Sequence, residues 1–536
     1  MSNSKSKRRQ FLARSGAGLL LSPLGSPLKA ATLAAPAIIQ AESSWPQISN
    51  GIMSGDVSGQ SAIFWCKTSL AAKPVLEWST HPEFKTSQRQ AGAISQYQRD
   101  FCCHIDVRGL PAGQTVYYRF HFEASEHRRS RATSATGQVK LPELGKAKRN
   151  LRFCFSGDEA GQGWGINPEL GGYTIYRTMA TFKPDFFIHS GDQIYADGPL
   201  QESVTLDDGS IWKNIVTPAK AKVAETLAEF RGNFAYNQLD AARREFAAQV
   251  PFLVQWDDHE VRNNWYPGQI IGAQEPRYQQ QRHIDQLAAY AKQAMFEYSP
   301  MRAHAHDPER VYRQFHHGPL LDVFMLDERS YRGKNNPNLQ TQQDADSVFL
   351  GSAQTRWLKQ ALLNSKATWK VIASDMPISV VVNDFNKDVP AGWMEAWANG
   401  DGGQPRGREL ELAELLRFIK QHQIKNLVWV TADVHYAAAT HFHPDRAAFK
   451  DFLPFWEFIG GPLNAGTFAP PGNDMSFGPD VKFCSVTADL KANRSPKDGL
   501  QFFGLAEIDA ASQVMRVSLR NLAGDDLYSV DLQPEF

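Results

Sequence analysis

Residues 185–195 read DFFIHSGDQIY, and this stretch gives the clearest indication of the fold class. A short apolar run that stops at a Gly-Asp turn is typical of a buried strand whose carboxyl end carries functional side chains. Helical patterns lie between such runs along the chain. One, at 173–181, precedes this stretch, and two, at 218–231 and 236–249, follow it. The same design recurs in LRFCFSGD (151–158), FLVQWDDHE (252–260), LLDVFMLDE (320–328), WKVIASD (369–375) and NLVWVTADVH (426–435). Residues 149–535 therefore predict an α/β domain with polar side chains at one edge of its sheet.

The chain before this region has a different texture. Short β-like runs occur there, including SAIFWCKT, VLEWST, RDFCCHIDV and TVYYRFHFE. Glycine, proline and polar turns such as GLPAGQ separate them. Several short strands at this spacing predict an antiparallel β-sandwich, so we assign residues 44–143 to an all-β domain.

The N-terminus predicts an export signal. Residues 5–13 read KSKRRQFLA, with paired arginines ahead of a weakly apolar run. This pattern is typical of a bacterial twin-arginine (Tat) signal, so we predict export by the Tat translocon to the periplasm or the medium. A membrane anchor is the alternative, but the run is interrupted by Ser22, Pro23, Ser26, Pro27, Lys29 and Pro36. We assign residues 1–41 to the signal, with cleavage after Ala37 or Ala41.

Composition excludes other classes of function. The chain has 536 residues, of which 57 are basic and 57 acidic, and 42% are hydrophobic. This balanced, globular composition gives no general attraction to nucleic acid or to anionic lipid. The part after the signal is mildly acidic, because residues 1–41 hold six basic residues and no acidic one. It contains no run that predicts a membrane span, and we expect a monomer.

The cysteines do not form a recognisable framework. There are five, at irregular spacing and without a CxxC zinc pattern. A Cys66–Cys103 bridge between neighbouring strands is one interpretation for an oxidising compartment. Free buried thiols are the interpretation we favour, because free cysteine behaves as a small hydrophobe.

The strand ends deliver a set of polar and ionisable side chains. The candidates are Asp158, Asp192, Tyr195, Asp258, His259, Asn263, Asp375, Asp433 and His435. Each carboxylate alone is best explained as a helix N-cap or as a loop residue with a backbone partner. If the strand ends converge, however, four or more carboxylates share one crevice, and like charges at short range need compensation. Bound cations supply it, so the pattern predicts a metal site.

The donor types predict a mixed pair of metals. Tyr195 follows Asp192 by three residues, so both can face one crevice, and phenolate ligation needs a strongly acidic ion such as Fe³⁺. The remaining donors are mostly carboxylates, from Asp158, Asp258, Asp375 and Asp433. Oxygen donors favour a hard divalent ion, calcium more readily than zinc, although another divalent metal fits as well. We therefore expect Fe³⁺ near Tyr195 and His435, a divalent ion beside it, and Asp192 as the bridge.

The ordered motifs GD, GDxxY, WDDHE, NN, SDMP and ADVH resemble the alkaline phosphatase D family of calcineurin-like metallophosphatases. The likeness covers nearly the whole chain. SNGIMSGDVSGQSAIFW and GLPAGQTVYYRF are similar to that family's N-terminal immunoglobulin-like domain, and WEFIGGPLNAGTF to a late catalytic segment. The resemblance implies a periplasmic or secreted phosphoesterase, with a central β-sandwich flanked by helices and preceded by the all-β immunoglobulin-like domain. It also implies a centre of one Fe³⁺ and one or two Ca²⁺.

The resemblance also implies roles for individual residues. Asp192 resembles the bridging aspartate, Tyr195 the iron-ligating tyrosine and His435 the last iron ligand. His259 is similar to the histidine that contacts the substrate phosphate or the leaving group.

Four carboxylates depart from the pattern of relatives. Asp258, Asp375 and Asp433 stand where members of the wider superfamily use asparagine or histidine. Asp158 stands where well-known members carry a cysteine at the end of the first strand. An aspartate there keeps a hard, anionic ligand, so iron remains compatible with the site.

We predict hydrolysis of phosphate mono- or diesters, with a hydroxide held by the two metals attacking phosphorus in line. His259 would stabilise or protonate the leaving oxygen, and Asn263 would donate to a phosphate oxygen. Glu159 and Glu260 are either metal ligands or solvated or salt-bridged side chains. For Arg329 we expect a structural ion pair with an acidic neighbour. Two alternatives stay open: a cell-surface binding protein with a structural metal site, and a phospholipase- or teichoic-acid-type phosphodiesterase.

Overall fold

The computed structural model describes residues 45–124 and 131–536. The predicted signal at 1–41 lies outside the described residues. The strands before residue 150 are β1 (Ile52–Ser58), β2 (Ser61–Lys67), β3 (Ala72–Ser79), β4 (Gln88–Ala91), β5 (Cys102–Arg108), β6 (Thr115–Ala124), β7 (Arg131–Thr133) and β8 (Gly137–Lys140). The described part of this region holds no α-helix, which agrees with the all-β prediction.

After residue 150, strands and helices are mixed. The strands are β9 (Leu151–Ser156), β10 (Phe186–Ser190), β11 (Ser203–Thr205), β12 (Ile211–Lys213), β13 (Phe252–Gln255), β14 (Arg313–His317), β15 (Leu321–Met325), β16 (Trp369–Ala373), β17 (Leu427–Thr431), β18 (Ala438–Phe442), β19 (Phe455–Ile459), β20 (Pro479–Cys484), β21 (Phe502–Ile508), β22 (Met515–Asn521) and β23 (Asp526–Leu532). The helices are α1 (Ile175–Thr181), α2 (Leu227–Asn237), α3 (Ala241–Gln249), α4 (Ile284–Tyr298), α5 (Ser352–Asn364) and α6 (Glu409–Gln421). In the described part of the chain, no helix is both long enough and apolar enough to cross a membrane.

Two large mixed sheets form the centre of the fold. Nine described strands form the first sheet, in the order β23-β22-β21-β9-β10-β13-β1-β2-β5. Seven form the second, in the order β14-β15-β16-β17-β19-β18-β20. The neighbours β9, β10 and β13 run parallel, as do β15, β16, β17 and β19. Parallel neighbours present their carboxyl ends at one edge, which brings the predicted polar strand ends together.

The sheets pack face to face, and helices cover their outer faces. Phe153 and Ile188 of the first sheet share one buried core with Val371 of the second. On the other face of the first sheet, Phe187 and Val254 pack in a core with helices α1–α4. The outer face of the second sheet packs against α5 and α6. Successive side chains of a strand point to opposite faces of the sheet, so both faces of each sheet are buried. The two sheets form a β-sandwich flanked by helices.

The N-terminal strands extend the first sheet. β1 pairs in parallel with β13, with Gly55 opposite Phe252, so β1, β2 and β5 continue the row of strands that carries the polar ends. A Cβ at position 55 would lie 2.4 Å from the Phe252 carbonyl oxygen, so the strands can approach this closely only at a glycine. The remaining strands, β3, β4, β6, β7 and β8, form a second N-terminal layer. It packs on the extension around Phe64 and Tyr118, whose ring centroids are 4.7 Å apart.

The two helices predicted at 218–231 and 236–249 begin later than expected. The first residues of the first segment form only a 3₁₀ turn, and α2 begins after Thr226. Thr226 and Glu229 form a capping box that satisfies the free amides of the first helical turn. α2 continues to Asn237, and α3 begins after the N-cap Asp240. The capping residues fix these boundaries more strongly than the apolar spacing does.

The cysteines are free thiols in the structure. Cys66 on β2 lies opposite Cys103 on β5, as neighbouring strands allow. Both are buried in the apolar core of the N-terminal layers, where they pack as small hydrophobic side chains.

Candidate metal centre

Five strand ends meet at one edge of the sandwich. β9, β10 and β13 of the first sheet lead into Asp158, Asp192 and Asp258, and β16 and β17 of the second lead into Asp375 and Asp433. Three groups of carboxylates and histidines near these ends have potential ligand atoms that all lie within 4.8 Å of one another. Two of the groups combine residues from both sheets. The convergence predicted from the sequence is therefore present.

The first group, which we call the tyrosine cluster, consists of Asp158, Asp192, Tyr195 and His435. Ligand atoms of Asp158, Asp192 and His435 lie within 4.8 Å of one another, and the Tyr195 hydroxyl is 3.0 Å from His435 Nε2. The Nδ1–H of His435 donates to the Gly466 carbonyl oxygen at 2.5 Å, so Nε2 carries the lone pair of the ring. This atom accepts a hydrogen bond from the Tyr195 hydroxyl in the structure and is the one that a metal would bind. Burial lowers the pKa of His435 to about 3, so its ring is neutral, as a metal ligand must be.

A second group connects Asp192 to the catalytic candidate His259. Asp192, Asp258 and His259 have potential ligand atoms within 4.8 Å of one another. The His259 backbone N–H also donates to Asp192 Oδ1 at 3.1 Å. Asp192 thus belongs to both groups, which is the position that a bridging ligand requires.

The third group, which we call the carboxylate cluster, consists of Asp257, Asp258 and Asp433. Asp257 was not predicted as a ligand from the sequence, although it stands in the same WDDHE motif as Asp258. One oxygen of Asp257 accepts hydrogen bonds from the Arg329 guanidinium, including one from Nε at 2.7 Å. Arg329 therefore forms the structural pair expected of it, and it offsets part of the negative charge of this cluster.

Asp375 lies beside the carboxylate cluster and outside the three groups. Its Oδ2 is 3.3 Å from Arg329 Nε, and neither carboxylate oxygen accepts a hydrogen bond within the described chain. The neighbouring Glu328 accepts from the Ser374 hydroxyl at 2.6 Å. Direct ligation by Asp375 stays a prediction, and the observed contact is with the arginine.

His259 is held by a residue that was not predicted from the sequence. Its Nδ1–H donates to Asp197 Oδ1 at 2.7 Å, and Asp197 Oδ2 accepts the Asn263 backbone N–H at 2.8 Å. Burial favours the neutral ring, but the nearby carboxylates of Asp197 and Asp258 outweigh it and raise the pKa of His259 to about 10. Asp197 follows Asp192 by five residues in the same loop, and that spacing was the available signal. The Asn263 side chain is half-buried beside this pair.

Among the residues that the structure describes, Glu260 is neither solvated nor salt-bridged, unlike the structural role expected of it. It is fully buried, and its carboxylate accepts backbone N–H groups of Asp192, Gln193, Ile194 and Asp257 at 2.6–3.3 Å. One side chain thereby holds the loop after β10 against the loop after β13. Glu159, in contrast, forms the expected salt bridge, with the buried Arg243.

The backbone at the strand ends is unusual. Asp158, Asp192, Asp433 and His435 all have positive φ angles, between 52° and 67°. Non-glycine residues seldom adopt this left-handed region, and each instance costs on the order of 1 kcal/mol. Such conformations turn the chain sharply at the strand end, which aims successive side chains into one crevice.

A glycine makes room for Tyr195. A Cβ at Gly161 would lie 2.4 Å from three atoms of the Tyr195 ring. The His259 ring lies 4.2 Å from the same ring, measured between centroids. The glycine-rich loop after β9 thus packs flat against Tyr195 and fixes the direction of its hydroxyl.

The polar atoms of the centre fit bound cations. Both carboxylate oxygens of Asp158, Oδ2 of Asp257 and Oδ1 of Asp258 are buried and accept no hydrogen bond from the described residues. Burial raises the pKa of both the Asp158 and the Asp192 carboxyl group well above the ordinary value of an aspartate. At Asp192 the neighbouring carboxylates raise the pKa further. Buried anionic oxygens without donors are costly unless a cation compensates them. The donor set of carboxylates, one neutral imidazole and one phenol is that of a metal centre.

Comparison with known proteins agrees with this chemistry. Residues 154–519 match the PhoD-like phosphatase family, and residues 32–142 match the N-terminal domain of PhoD-like phosphatases. The chain belongs to the PhoD-like phosphatase family. Alkaline phosphatase D of Bacillus subtilis (strain 168) is 28% identical to this PhoD-like phosphatase over 444 residues, which are 78% of this chain and 69% of that protein.

Solved structures share the fold of this PhoD-like phosphatase. A structure of PhoD has a TM-score of 0.66 at 22% identity and covers 93% of this chain and 90% of its own. The purple acid phosphatase PPD1 from yellow lupin (Lupinus luteus) seeds has a TM-score of 0.54 at 10% identity, with 90% and 74% covered. At these identities the likeness concerns the fold alone.

Family membership decides between the two classes of function left open by the sequence. This PhoD-like phosphatase is a phosphoric ester hydrolase, and the alternative of a binding protein with a structural metal site is not supported. Its acidic and histidine clusters are compatible with metal-dependent catalysis.

Proposed function

We propose that this PhoD-like phosphatase is an exported hydrolase of phosphate mono- or diesters that uses Fe³⁺ in the tyrosine cluster and one or two Ca²⁺ ions in the neighbouring groups. The observation that carries the proposal is the position of Asp192, which belongs to two adjoining groups of ligand atoms. A carboxylate shared in this way can hold two ions close together, and paired ions suit displacement at phosphorus.

The donor chemistry supports different ions at the two ends of the centre. Burial raises the pKa of the Tyr195 hydroxyl well above its ordinary value, so only a strongly acidic ion such as Fe³⁺ would ionise it. Asp257, Asp258 and Asp433 offer oxygen alone, which favours Ca²⁺. When bound, such ions supply Lewis acidity, which offsets charge on the phosphoryl group and promotes the ionisation of water.

The residues of the chain itself position the ester and move a proton. Asp197 accepts the Nδ1–H of His259, which fixes the ring with Nε2 4.0 Å from Asp258 Oδ1. From there His259 donates a hydrogen bond or a proton to the leaving oxygen. Asn263 is held next to it through its backbone, and its amide donates to a phosphoryl oxygen.

Export and the N-terminal layers complete the proposal. The paired arginines support passage through the Tat translocon to the periplasm or the medium, and a folded, metal-loaded chain is the form that this route carries. The two β-layers before residue 143 support an immunoglobulin-like arrangement. The protein then acts as a monomer on external phosphate esters.

Elemental analysis of the protein purified after export through its own signal tests the proposal. We expect about one iron and one or two calcium per chain. A panel of 4-nitrophenyl phosphate and bis(4-nitrophenyl) phosphate then separates monoester from diester hydrolysis. A preparation that hydrolyses neither ester with both metals bound would contradict the proposed activity, and an active preparation with only divalent ions would contradict the iron assignment.

A further inference from the structure

Four apolar side chains, which we call the apolar rim, belong to segments that contact or adjoin the candidate ligands and catalytic residues: Val382, Phe385, Val434 and Phe468. Val434 stands between the candidate ligands Asp433 and His435 and is half-buried. Val434 and Val382 pack on one small apolar cluster that includes Tyr436. A hydrocarbon side chain therefore stands between two candidate ligands in the loop after β17.

Phe468 extends this surface over the tyrosine cluster. Its ring centroid is 5.2 Å from that of His435, with the rings nearly perpendicular at 87°. Its backbone N–H donates to the His435 carbonyl oxygen at 3.4 Å, which fixes the segment in place. The side chain is half-buried, so one side of the ring contacts the ligand histidine and part of it remains accessible.

Phe385 lies on a loop that is fastened to the loop of the catalytic candidates. The Asn386 side chain donates to the Asn263 carbonyl oxygen at 2.7 Å, and the Asn264 side chain donates to the Asn383 carbonyl oxygen at 3.3 Å. Phe385 stands between these two attachments. It is 79% exposed, an unusual position for a phenyl ring held on an anchored backbone.

A buried ion pair anchors the same loop further on. The Arg262 guanidinium donates to Asp388 Oδ1, and Asp388 Oδ2 accepts the Gly272 N–H at 2.9 Å. Arg262 is 1% exposed and follows His259 by three residues. Phe385 is thus presented next to the site by fixed contacts at both ends of its loop.

An ester with its phosphorus at the metal groups must extend its alcohol portion away from them. Exposed apolar surface that adjoins a recessed polar site is typical of a ligand-binding region. We propose that the apolar rim binds the alcohol portion of the ester, so that the substrates are phosphate esters with a bulky aromatic or aliphatic alcohol group. This inference rests on the proposed function, because it assigns the substrate class of the same site.

Non-hydrolysable phosphonates test the inference separately from the reaction. Phenylphosphonate and methylphosphonate carry the same anionic group and differ in the apolar part alone. We expect the metal-loaded wild-type protein to bind phenylphosphonate about tenfold more tightly by calorimetry, as burial of part of a ring predicts. In Phe385→Ala the preference should fall to about twofold, and Phe385→Leu should retain most of it.

Tyr97→Ala is the matched control. Tyr97 is 77% exposed in the N-terminal layers, and its ring contacts Phe101. This variant should keep the full preference for phenylphosphonate. An equal affinity of the wild-type protein for the two phosphonates would overturn the inference, and so would a preference that is unchanged in Phe385→Ala. Either result would also be expected if a charged neighbour such as Lys387 bound a polar alcohol group instead.

Hydrolysis of 4-nitrophenyl phosphate and its diester, measured on the same preparations, keeps the two proposals apart. Hydrolysis of the esters without a preference for phenylphosphonate overturns the inference about the apolar rim and leaves the proposed activity standing. A phenyl preference that disappears in Phe385→Ala, in a protein that hydrolyses neither ester, supports the rim as a binding surface and overturns the proposed activity.

Discussion

The tyrosine cluster and the carboxylate cluster lie at the same edge of the sandwich and are built by the same device, yet their donors differ. The tyrosine cluster combines carboxylates with a neutral imidazole and a phenol. The carboxylate cluster offers oxygen anions only, one of which is paired with Arg329. The backbone geometry therefore provides a place for ions, and the side-chain chemistry selects which ion occupies it. Substitutions and metal removal can therefore separate the two clusters or show that they act as one.

Asp192→Ala should have the largest effect, because Asp192 is shared by adjoining groups. We expect both metals to fall together and kcat/KM to drop by about 10⁴-fold or more, since residues that act as a unit are lost together. Elemental analysis and hydrolysis of 4-nitrophenyl phosphate measure the two effects. Asp185→Asn is the control, because Asp185 is a buried carboxylate just before β10, at the opposite end of that strand. Retention of one metal at full occupancy would assign the bridge to another residue.

Tyr195→Phe should affect the tyrosine cluster alone. The wild-type protein should be purple to pink, because tyrosinate bound to Fe³⁺ absorbs in the visible. The variant keeps the ring and loses the oxygen, so the colour should vanish, iron should decrease and kcat/KM should fall by at least about 100-fold. Calcium content should stay the same. A colourless wild-type protein with full activity would refute the iron–tyrosinate assignment.

Removal of calcium should affect the other end of the centre. A chelator selective for calcium should reduce activity by at least about tenfold while the visible band persists, because oxygen-only sites release calcium readily. Added calcium should restore the rate, which an absorption spectrum and an assay on the same sample can follow. Loss of the band on chelation would show that the two clusters do not bind their ions independently.

Asp197→Asn should leave the metal content of both clusters unchanged. The change removes the charge that orients and supports the His259 ring and keeps the shape of the side chain. We expect kcat to fall about 10- to 100-fold, with metal content and KM nearly unchanged. The loss should be greater for esters with poor leaving groups, because these depend most on proton donation. An equal loss for good and poor leaving groups would argue that His259 does not act on the leaving oxygen.

Gly161→Ala should have the smallest effect. Its φ is not in the left-handed region, so the added methyl group acts only by pushing the Tyr195 ring. If displacement of the ring costs about 1 kcal/mol of transition-state stabilisation, kcat/KM falls roughly fivefold. The visible band should shift in wavelength while the iron content holds. An unshifted band with normal activity would mean that the loop yields and does not fix the ring.

The sequence predicted the strands of the centre well, because local pattern determines them. The runs ending at Asp158, Asp192, Asp258, Asp375 and Asp433 are strands as expected, with their carboxyl ends at one edge. A short apolar run followed by a polar turn is a local signal that survives tertiary packing. The helix at 218–231 was less accurate, since the Thr226 capping box was not recognised.

The contacts that hold the candidate ligands and His259 in place could not be predicted from local sequence in the same way. Asp257, Asp197 and Glu260 are ordinary acidic residues in the sequence, and their roles depend on which loop each one faces. Glu260 contacts two loops that come from different strands, and this long-range contact has no signature in local sequence. The left-handed turns at the strand ends are likewise imposed by the fold.

The pairing of β1 with β13 determines where this chain can be divided. A chain that began at residue 149 would leave the β13 edge of the first sheet bare, with open N–H and C=O groups and the apolar surface beneath. Such an edge is a template for pairing with another molecule, so the shortened protein would aggregate in preference to folding alone. The N-terminal layers thus act as an edge cover for the hydrolase, and the smallest unit that remains soluble includes both.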